Sequence, residues 1–204
     1  MKIKKELILF DLDGVLIDSK KNMQFAWEAV QDEFKLNIPF ESYFKFIGMP
    51  FQDILKSLKI KKNKKRIEYC FRRKSAELIH QIPFFEGVEE TIELLKYSKK
   101  FKIGIVTSKD KLRTNSMISK LPNFDVVSCP EKKLRGKPNP DQLLSALTKC
   151  NCDPRSAIYV GDMEVDKEAA KRSGIDFIHA EWGYGEVKNS ISIKNMKELI
   201  NILS

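Results

Sequence analysis

The stretch Glu6–Asp18, ELILFDLDGVLID, constrains the chain more than any other. Four apolar residues, Leu7 to Phe10, run into two carboxylates one residue apart, Asp11 and Asp13, and then into Gly14. A short apolar run closed by a glycine turn predicts a strand buried on both faces, of the kind found inside a parallel sheet. In open α/β sheets the chemistry lies beyond the carboxyl ends of the strands. Asp11 falls at that end. Alternation sends Asp11 and Asp13 to roughly the same side, with Leu12 opposed. Two crowded carboxylates repel unless a cation or a shared proton relieves them. A polar loop after a strand is the plain alternative. The pattern favours a site that holds a metal or shares a proton between acid and base.

After Asp18 the pattern turns helical. Phe25, Trp27, Ala29, Val30 and Phe34 share a helical period. Pro39 and Gly48–Met49–Pro50 are breaks, and further helical runs cover Gln52–Leu58 and Asn63–His80. The aromatics of this insert, among them Phe40, Tyr43, Phe44 and Phe46, are expected to form a small helical core and not a ligand box. The loop Phe46–Pro50 is less settled, because a break between helices can face a site.

From Pro83 the chain returns to α/β alternation. Helices are expected over 87–98, 111–121, 139–150, 164–173 and 196–203. Strands are expected over 101–107, 124–128, 157–161 and 175–180, the last of these ending the sheet. Strands alternating with helices imply a parallel sheet covered by helices on both faces.

Composition sets outer bounds. A chain of 204 residues suits one domain or a domain with an insertion. No window approaches the ~18–20 consecutive apolar residues of a membrane span. The apolar run behind the basic start is too short for a signal peptide and ends in acids. Cys150 and Cys152 are one residue apart, neither a redox CxxC nor a usual zinc spacing, and Cys70 and Cys129 lie far from them. Reduced thiols in a cytoplasmic protein are therefore expected. The net charge of +9 gathers in runs such as Lys59–Arg66, KIKKNKKR. A basic run can mark nucleic-acid contact, but the lack of interleaved aromatics and of a nucleic-acid motif disfavours that partner. The charge suits a field that draws in small anionic substrates.

Three more polar groups fall at predicted strand ends. They are Thr107–Ser108–Lys109 after FKIGIV, Lys137 in RGKPNPD, and Gly161–Asp166, GDMEVD, after AIYV. Each alone could be a helix cap or a surface charge. Acids, hydroxyls and a lysine gathered at one sheet edge suit a divalent cation and a phosphoryl group.

DLDGVLIDS, VTS, GKPNP and GDMEVDKEAA, in this order and spacing, resemble the four motifs of the haloacid dehalogenase superfamily over nearly the whole chain. The helical insert stands where the helical-cap phosphatases of that superfamily carry theirs. Trp182–Gly185, WGYG, is similar to what phosphoglycolate-phosphatase-like members show after their last strand. The resemblance implies a three-layer, Rossmann-like α/β core, residues 1–17 and 82–204, with an all-helical cap, residues 18–81, hinged near Ile17–Lys20 and His80–Pro83.

The resemblance also implies roles. Asp11 is the expected nucleophile that forms an aspartyl-phosphate, and Asp13 the acid and base. Thr107 and Lys137 would bind the transferring phosphoryl group, with Gly14 and Ser108 beside them. Mg²⁺ would be held by the Asp11 carboxylate, the Asp13 main-chain carbonyl and Asp162, with Asp166 in an outer, orienting position. His80 and His179 are expected to be structural. The function so implied is a Mg²⁺-dependent phosphatase of a small phosphorylated metabolite such as phosphoglycolate or a sugar or polyol phosphate. The alternatives are a sugar-phosphate mutase on the same scaffold and a non-catalytic regulatory member. Mutases of the superfamily place a histidine in the first cap helix, where this chain has Met23. The intact set of acids, threonine and lysine argues against a degenerate site. Oligomeric state is left open.

Overall fold

The computed structural model describes residues 4–203. Its centre is the predicted strand: β1, Leu7–Phe10, with all four side chains buried. Parallel strands flank it. Lys102–Val106 (β2) pairs on one side, with Val126–Ser128 (β3) beyond it. Ala157–Gly161 (β4) pairs on the other, followed by Asp176–Ala180 (β5) and Ile191–Ile193 (β6). The sheet order is β3-β2-β1-β4-β5-β6. From β1 the chain builds β2 and β3 on one side and then crosses back to add β4, β5 and β6 on the other, so a crevice opens at the carboxyl ends of β1, β2 and β4.

Alternation along β1 divides the core. Ile8 and Phe10 face a layer that includes Ile92 and Leu95 of α5, Val88–Ser98, Met117 of α6, Lys111–Ile118, and Leu199 of α9, Glu198–Leu203. Leu7 and Leu9 face Leu143, Ala146 and Leu147 of α7, Asp141–Cys150, with Ala169 and Ala170 of α8, Glu164–Ser173. Apolar side chains on both faces of one strand need cover on both sides, which makes three layers.

The insert between β1 and α5 holds α1, Lys20–Phe34, α2, Phe40–Phe44, α3, Phe51–Ser57, and α4, Lys64–Glu77. It has its own core, in which Met23, Trp27, Ile54, Ile67 and Phe71 are buried. Trp27 stacks on Tyr43 with ring centroids 4.6 Å apart and donates Nε1–H to the Ile38 carbonyl at 2.8 Å. Asn22 and Ser75 lock α1 to α4, with Asn22 Nδ2 donating to the Ser75 carbonyl and Ser75 Oγ to Asn22 Oδ1. The two chain crossings into this unit pair with each other: Asp18 N–H donates to Pro83 O at 3.0 Å and Phe85 N–H to Leu16 O at 3.1 Å.

Several expected boundaries shift. The strand over 175–180 is not the last, because β6 adds an edge beyond it. That edge strand has only three residues, two of them exposed, and so carries no apolar run to read. The helix expected to run to His80 ends at Glu77 and is followed by a 3-10 turn over Ile79–Gln81. Among the described residues no helix is long and apolar enough to cross a membrane. All four cysteines are free thiols.

Leu9→Ala would open a cavity at the centre of the sheet. It should destabilise the protein by about 2–5 kcal/mol, read as a lower urea midpoint by far-ultraviolet circular dichroism. A loss well under 1 kcal/mol would contradict the packing around β1.

Candidate active site

The crevice beyond β1, β2 and β4 gathers the polar groups. Asp11 continues β1, its N–H donating to the Val160 carbonyl at 2.9 Å. That bond aims its carboxylate at Lys137, whose Nζ lies 2.9 Å away. Lys137 is 1% exposed. It comes from the loop before α7 and also contacts Asp166 Oδ1 at 2.7 Å and Tyr159 Oη at 3.1 Å. Burial works against its charge, but Asp11 and Asp166 outweigh burial and raise its pKa.

Asp166 sits in the first turn of α8. Its Oδ1 receives Lys137 and the Tyr159 hydroxyl at 3.0 Å, and its Oδ2 receives the Met163 N–H at 3.0 Å. The plain alternative for Asp166, a solvent-facing acid, is excluded, since it is fully buried. Both of its oxygens are occupied by protein donors, so it orients Lys137.

Asp162 follows β4. Its Oδ2 accepts the Tyr184 N–H at 2.8 Å, and its Oδ1 is buried with no hydrogen-bond partner among the described residues. Asp11, Asp162 and Asp166 bring oxygens within 4.8 Å of one another. Burial, followed by the neighbouring acids, pushes Asp162 well above the usual carboxylate range. Burial is also the main cause for Asp11, pushed up to about 7 with Asp166 and Asp13 adding to it and Lys137 opposing. An unpartnered buried carboxylate oxygen among hard oxygen donors fits a small divalent cation such as Mg²⁺. Asp11 and Asp162 carry the available oxygens.

Two glycines make room for Asp162. Gly14 has φ +85° and would place a Cβ 2.1 Å from Asp162 Oδ2, while a Cβ on Gly183 would lie 2.2 Å from Asp162 Cβ. Gly14 therefore lies against the candidate metal ligand.

Asp13 is turned toward the insert. Its Oδ1 accepts from Ser19 Oγ and pairs with Lys109 Nζ at 3.1 Å. Thr107 directly follows β2 and is 1% exposed, with Oγ1 accepting the Lys109 N–H at 3.1 Å. Ser108 donates its hydroxyl to the Gly48 carbonyl of the insert at 2.7 Å. Asp11, Asp13, Thr107, Ser108, Lys109 and Lys137 line one wall of a cavity of about 60 Å³. The opposite wall comes from the insert and includes Met23, Tyr43, Met49 and Phe71. His80 is exposed, and His179 is buried with Nε2 3.1 Å from the Gly185 carbonyl. Neither lines the cavity.

Sequence reasoning did not show the contacts of three contributors. Lys109 follows Thr107 and Ser108 in VTSK, and position alone did not show that its ammonium meets Asp13. Tyr159 carries the one hydroxyl in the buried strand AIYVG, and a phenol there needs a partner. Tyr184 of WGYG accepts the Ser19 N–H at 2.7 Å and donates to Asp18 Oδ1 at 3.0 Å, joining the loop between β5 and β6 to the start of the insert.

The chain is similar to known proteins over most of its length. The profile of the family described as "Haloacid dehalogenase-like hydrolase" matches residues 8–180. The phosphoglycolate phosphatase of Aquifex aeolicus is 34% identical over 197 residues, covering 91% of this chain and 89% of its own. The pyrophosphatase PpaX of Bacillus velezensis is 33% identical over 184 residues, covering 86% and 82%. A haloacid dehalogenase-like family hydrolase from Streptococcus pneumoniae superposes with a TM-score of 0.85 at 23% identity, over 98% of this chain and 99% of its own, which shows a shared fold. With the family profile covering most of its length, the chain belongs to the haloacid dehalogenase-like hydrolases and is an enzyme of their phosphatase type.

Proposed function

We propose that the protein hydrolyses a small phosphorylated metabolite in a Mg²⁺-dependent reaction that passes through an aspartyl-phosphate on Asp11. The observation that carries this reading is the buried Asp11–Lys137–Asp166 chain beside the unpartnered Asp162 oxygen. Phosphate-monoester hydrolysis asks mainly for positioning and charge stabilisation. A carboxylate approaching a phosphoryl dianion meets repulsion, and Lys137 offsets part of it. Mg²⁺ held by Asp11, Asp162 and the Asp13 main-chain carbonyl would supply the remaining positive charge.

In the first step Asp11 attacks phosphorus and the ester P–O bond breaks. Asp13 gives its proton to the departing oxygen. In the second step Asp13 takes a proton from water, which attacks the acyl phosphate and frees Asp11 and inorganic phosphate. Thr107 and Lys137 hold the phosphoryl oxygens throughout, with the Ser108 segment beside them. Gly14 acts by giving Asp162 its place.

Residues 18–81 serve as the cap over the core of 1–17 and 82–204, of which 1–3 and 204 lie outside the described residues, and move about Ile17–Lys20 and His80–Pro83. The paired crossings at Asp18 and Pro83 suit such a hinge. Closure would exclude water until the leaving group departs. The cap contacts Ser108–Gly48 and Arg72–Asp110, both at 2.7 Å, support the reading. Met23 on the cavity wall can gate no proton. That favours hydrolysis over a mutase, which must protect its intermediate from water. The names of the relatives bring phosphoglycolate and pyrophosphate forward as substrates beside sugar and polyol phosphates, and a cytoplasmic enzyme of metabolism is the setting that fits.

Asp11→Asn should abolish phosphate release while the circular dichroism spectrum is retained, since an amide does not attack phosphorus. Near-normal turnover by the folded variant would rule out the nucleophile. Excess EDTA should stop the wild-type reaction and added Mg²⁺ should restore it; persistence in EDTA would remove the metal from the mechanism. Asp13→Asn should lower the first step by about 10²–10⁴ on alkyl phosphates and by less on p-nitrophenyl phosphate, whose leaving group needs no proton. Equal losses in single-turnover kinetics would exclude Asp13 as the acid.

A further inference from the structure

The segment Trp182–Gly185, WGYG, carries no step of the reaction above. Its glycines bring the loop against the candidate metal ligand. A Cβ on Gly183 would meet Asp162 Cβ at 2.2 Å, and one on Gly185 would meet the Asp162 carbonyl at 2.7 Å. With the main chain this close, the Tyr184 N–H reaches Asp162 Oδ2. The Tyr184 ring then crosses Gly14, where an added Cβ would lie 2.9 Å from Tyr184 Cδ2. It carries the hydroxyl to the start of the insert. There Oη accepts the Ser19 N–H at 2.7 Å and donates to Asp18 Oδ1 at 3.0 Å.

Ser19 stands at the N-cap of α1, its carbonyl accepting the Met23 N–H at 2.9 Å. A serine in that place ordinarily has an extended backbone and turns its hydroxyl onto an N–H of the first helical turn. Ser19 has φ −92° and ψ 5°, and its side chain makes no capping bond. The hydroxyl donates to Asp13 Oδ1 instead. Ser19 is fully buried, so its N–H depends on the Tyr184 hydroxyl as acceptor. Lys109 Nζ meets the same Asp13 oxygen at 3.1 Å, which leaves Oδ2 without a partner among the described residues. A carboxyl that passes a proton works from a fixed position with one oxygen open. The Ser19 hydroxyl thus has two competing uses, as helix cap and as donor to Asp13. The bond to Tyr184 holds the Ser19 backbone out of the capping conformation and settles the choice.

We propose that Tyr184 is a positioning residue for the acid and base Asp13, acting through Ser19. The proposal rests on the role given to Asp13 above and adds the group that keeps it in place. Without the hydroxyl, the Ser19 N–H loses its acceptor, the backbone relaxes toward the capping conformation, and Asp13 loses a donor on Oδ1. The main-chain bond from Tyr184 to Asp162 is untouched by that change.

The test compares the wild type with Tyr184→Phe, which removes only the hydroxyl, with Ser19→Ala, with their double variant and with Asp13→Asn. Circular dichroism checks the fold of each. The first step is followed in single-turnover kinetics with Mg²⁺ on 2-phosphoglycolate, an alkyl ester, and on p-nitrophenyl phosphate. Tyr184→Phe should slow the alkyl ester by about tenfold and the aryl ester by much less, a smaller copy of the Asp13→Asn pattern. A merely structural role would slow both alike. Residues that act in series are not additive, so the double variant should lose no more than the greater single loss. Mg²⁺ affinity, read by calorimetry with the metal alone, should be unchanged in Tyr184→Phe. Equal losses on the two esters, multiplying losses in the double variant, or weakened Mg²⁺ binding overturns the positioning role alone. An Asp13→Asn protein without leaving-group dependence overturns the acid assignment and the proposal with it. No phosphate release from either ester by the wild type overturns the phosphatase reading itself.

Discussion

Three carboxylates meet at the carboxyl end of the sheet in a place nearly sealed from water. Their oxygens come within 4.8 Å of one another, and Asp11, Asp162 and Asp166 are all buried. Like charges at that distance and burial cannot all persist without compensation. Lys137 supplies one positive charge, reaching Asp11 and Asp166 together. The Asp162 oxygen left without a partner is where the compensation is incomplete. Much of the local architecture serves this cluster. Tyr159 and the Met163 N–H saturate Asp166, so that it positions Lys137. Gly14 and Gly183 clear the space around Asp162, and the Tyr184 N–H fixes its other oxygen.

The same cluster explains the course of the sheet. Its acids belong to the ends of two neighbouring strands, β1 and β4, and to the helix that follows β4. They can meet only because β4 pairs with β1 directly, although some 150 residues separate them in the chain. Thr107 joins through β2 on the other side of β1. The helical insert leaves after the first acid pair and returns before β2, so it hangs over the crevice without interrupting any strand pairing.

Two layers of polar contact tie the insert to the core. One is structural and lies at the crossings, where Tyr184 bonds Ser19 and Asp18 and where Asp18 pairs with Pro83. The other lies over the cavity, where Ser108 meets Gly48 and Arg72 meets Asp110. The second set is partly solvated, with Arg72 39% and Asp110 26% exposed in their side chains. Partly exposed ion pairs contribute little to stability, so the Arg72–Asp110 contact adds less than its short distance suggests.

The sequence by itself determined the strand–acid motif at Asp11 and Asp13, the alternation that makes a parallel sheet, the helical insert and the positions of Thr107, Lys137, Asp162 and Asp166. These are local signals: an apolar run, a glycine turn, a period of 3.6, or a motif of fixed spacing. The three-residue edge strand β6 was beyond that reach, because it buries too little to leave a pattern. The partners of Lys109, Tyr159 and Tyr184 were beyond it too. Each acquires its meaning from a group far away in the chain, as Tyr184 does from Ser19 and Lys109 from Asp13. Only the tertiary structure decided that Asp166 faces inward to hold Lys137, and that one oxygen of Asp162 has no protein partner. Burial and distance are properties of the folded chain, and they turn a row of acids into a site.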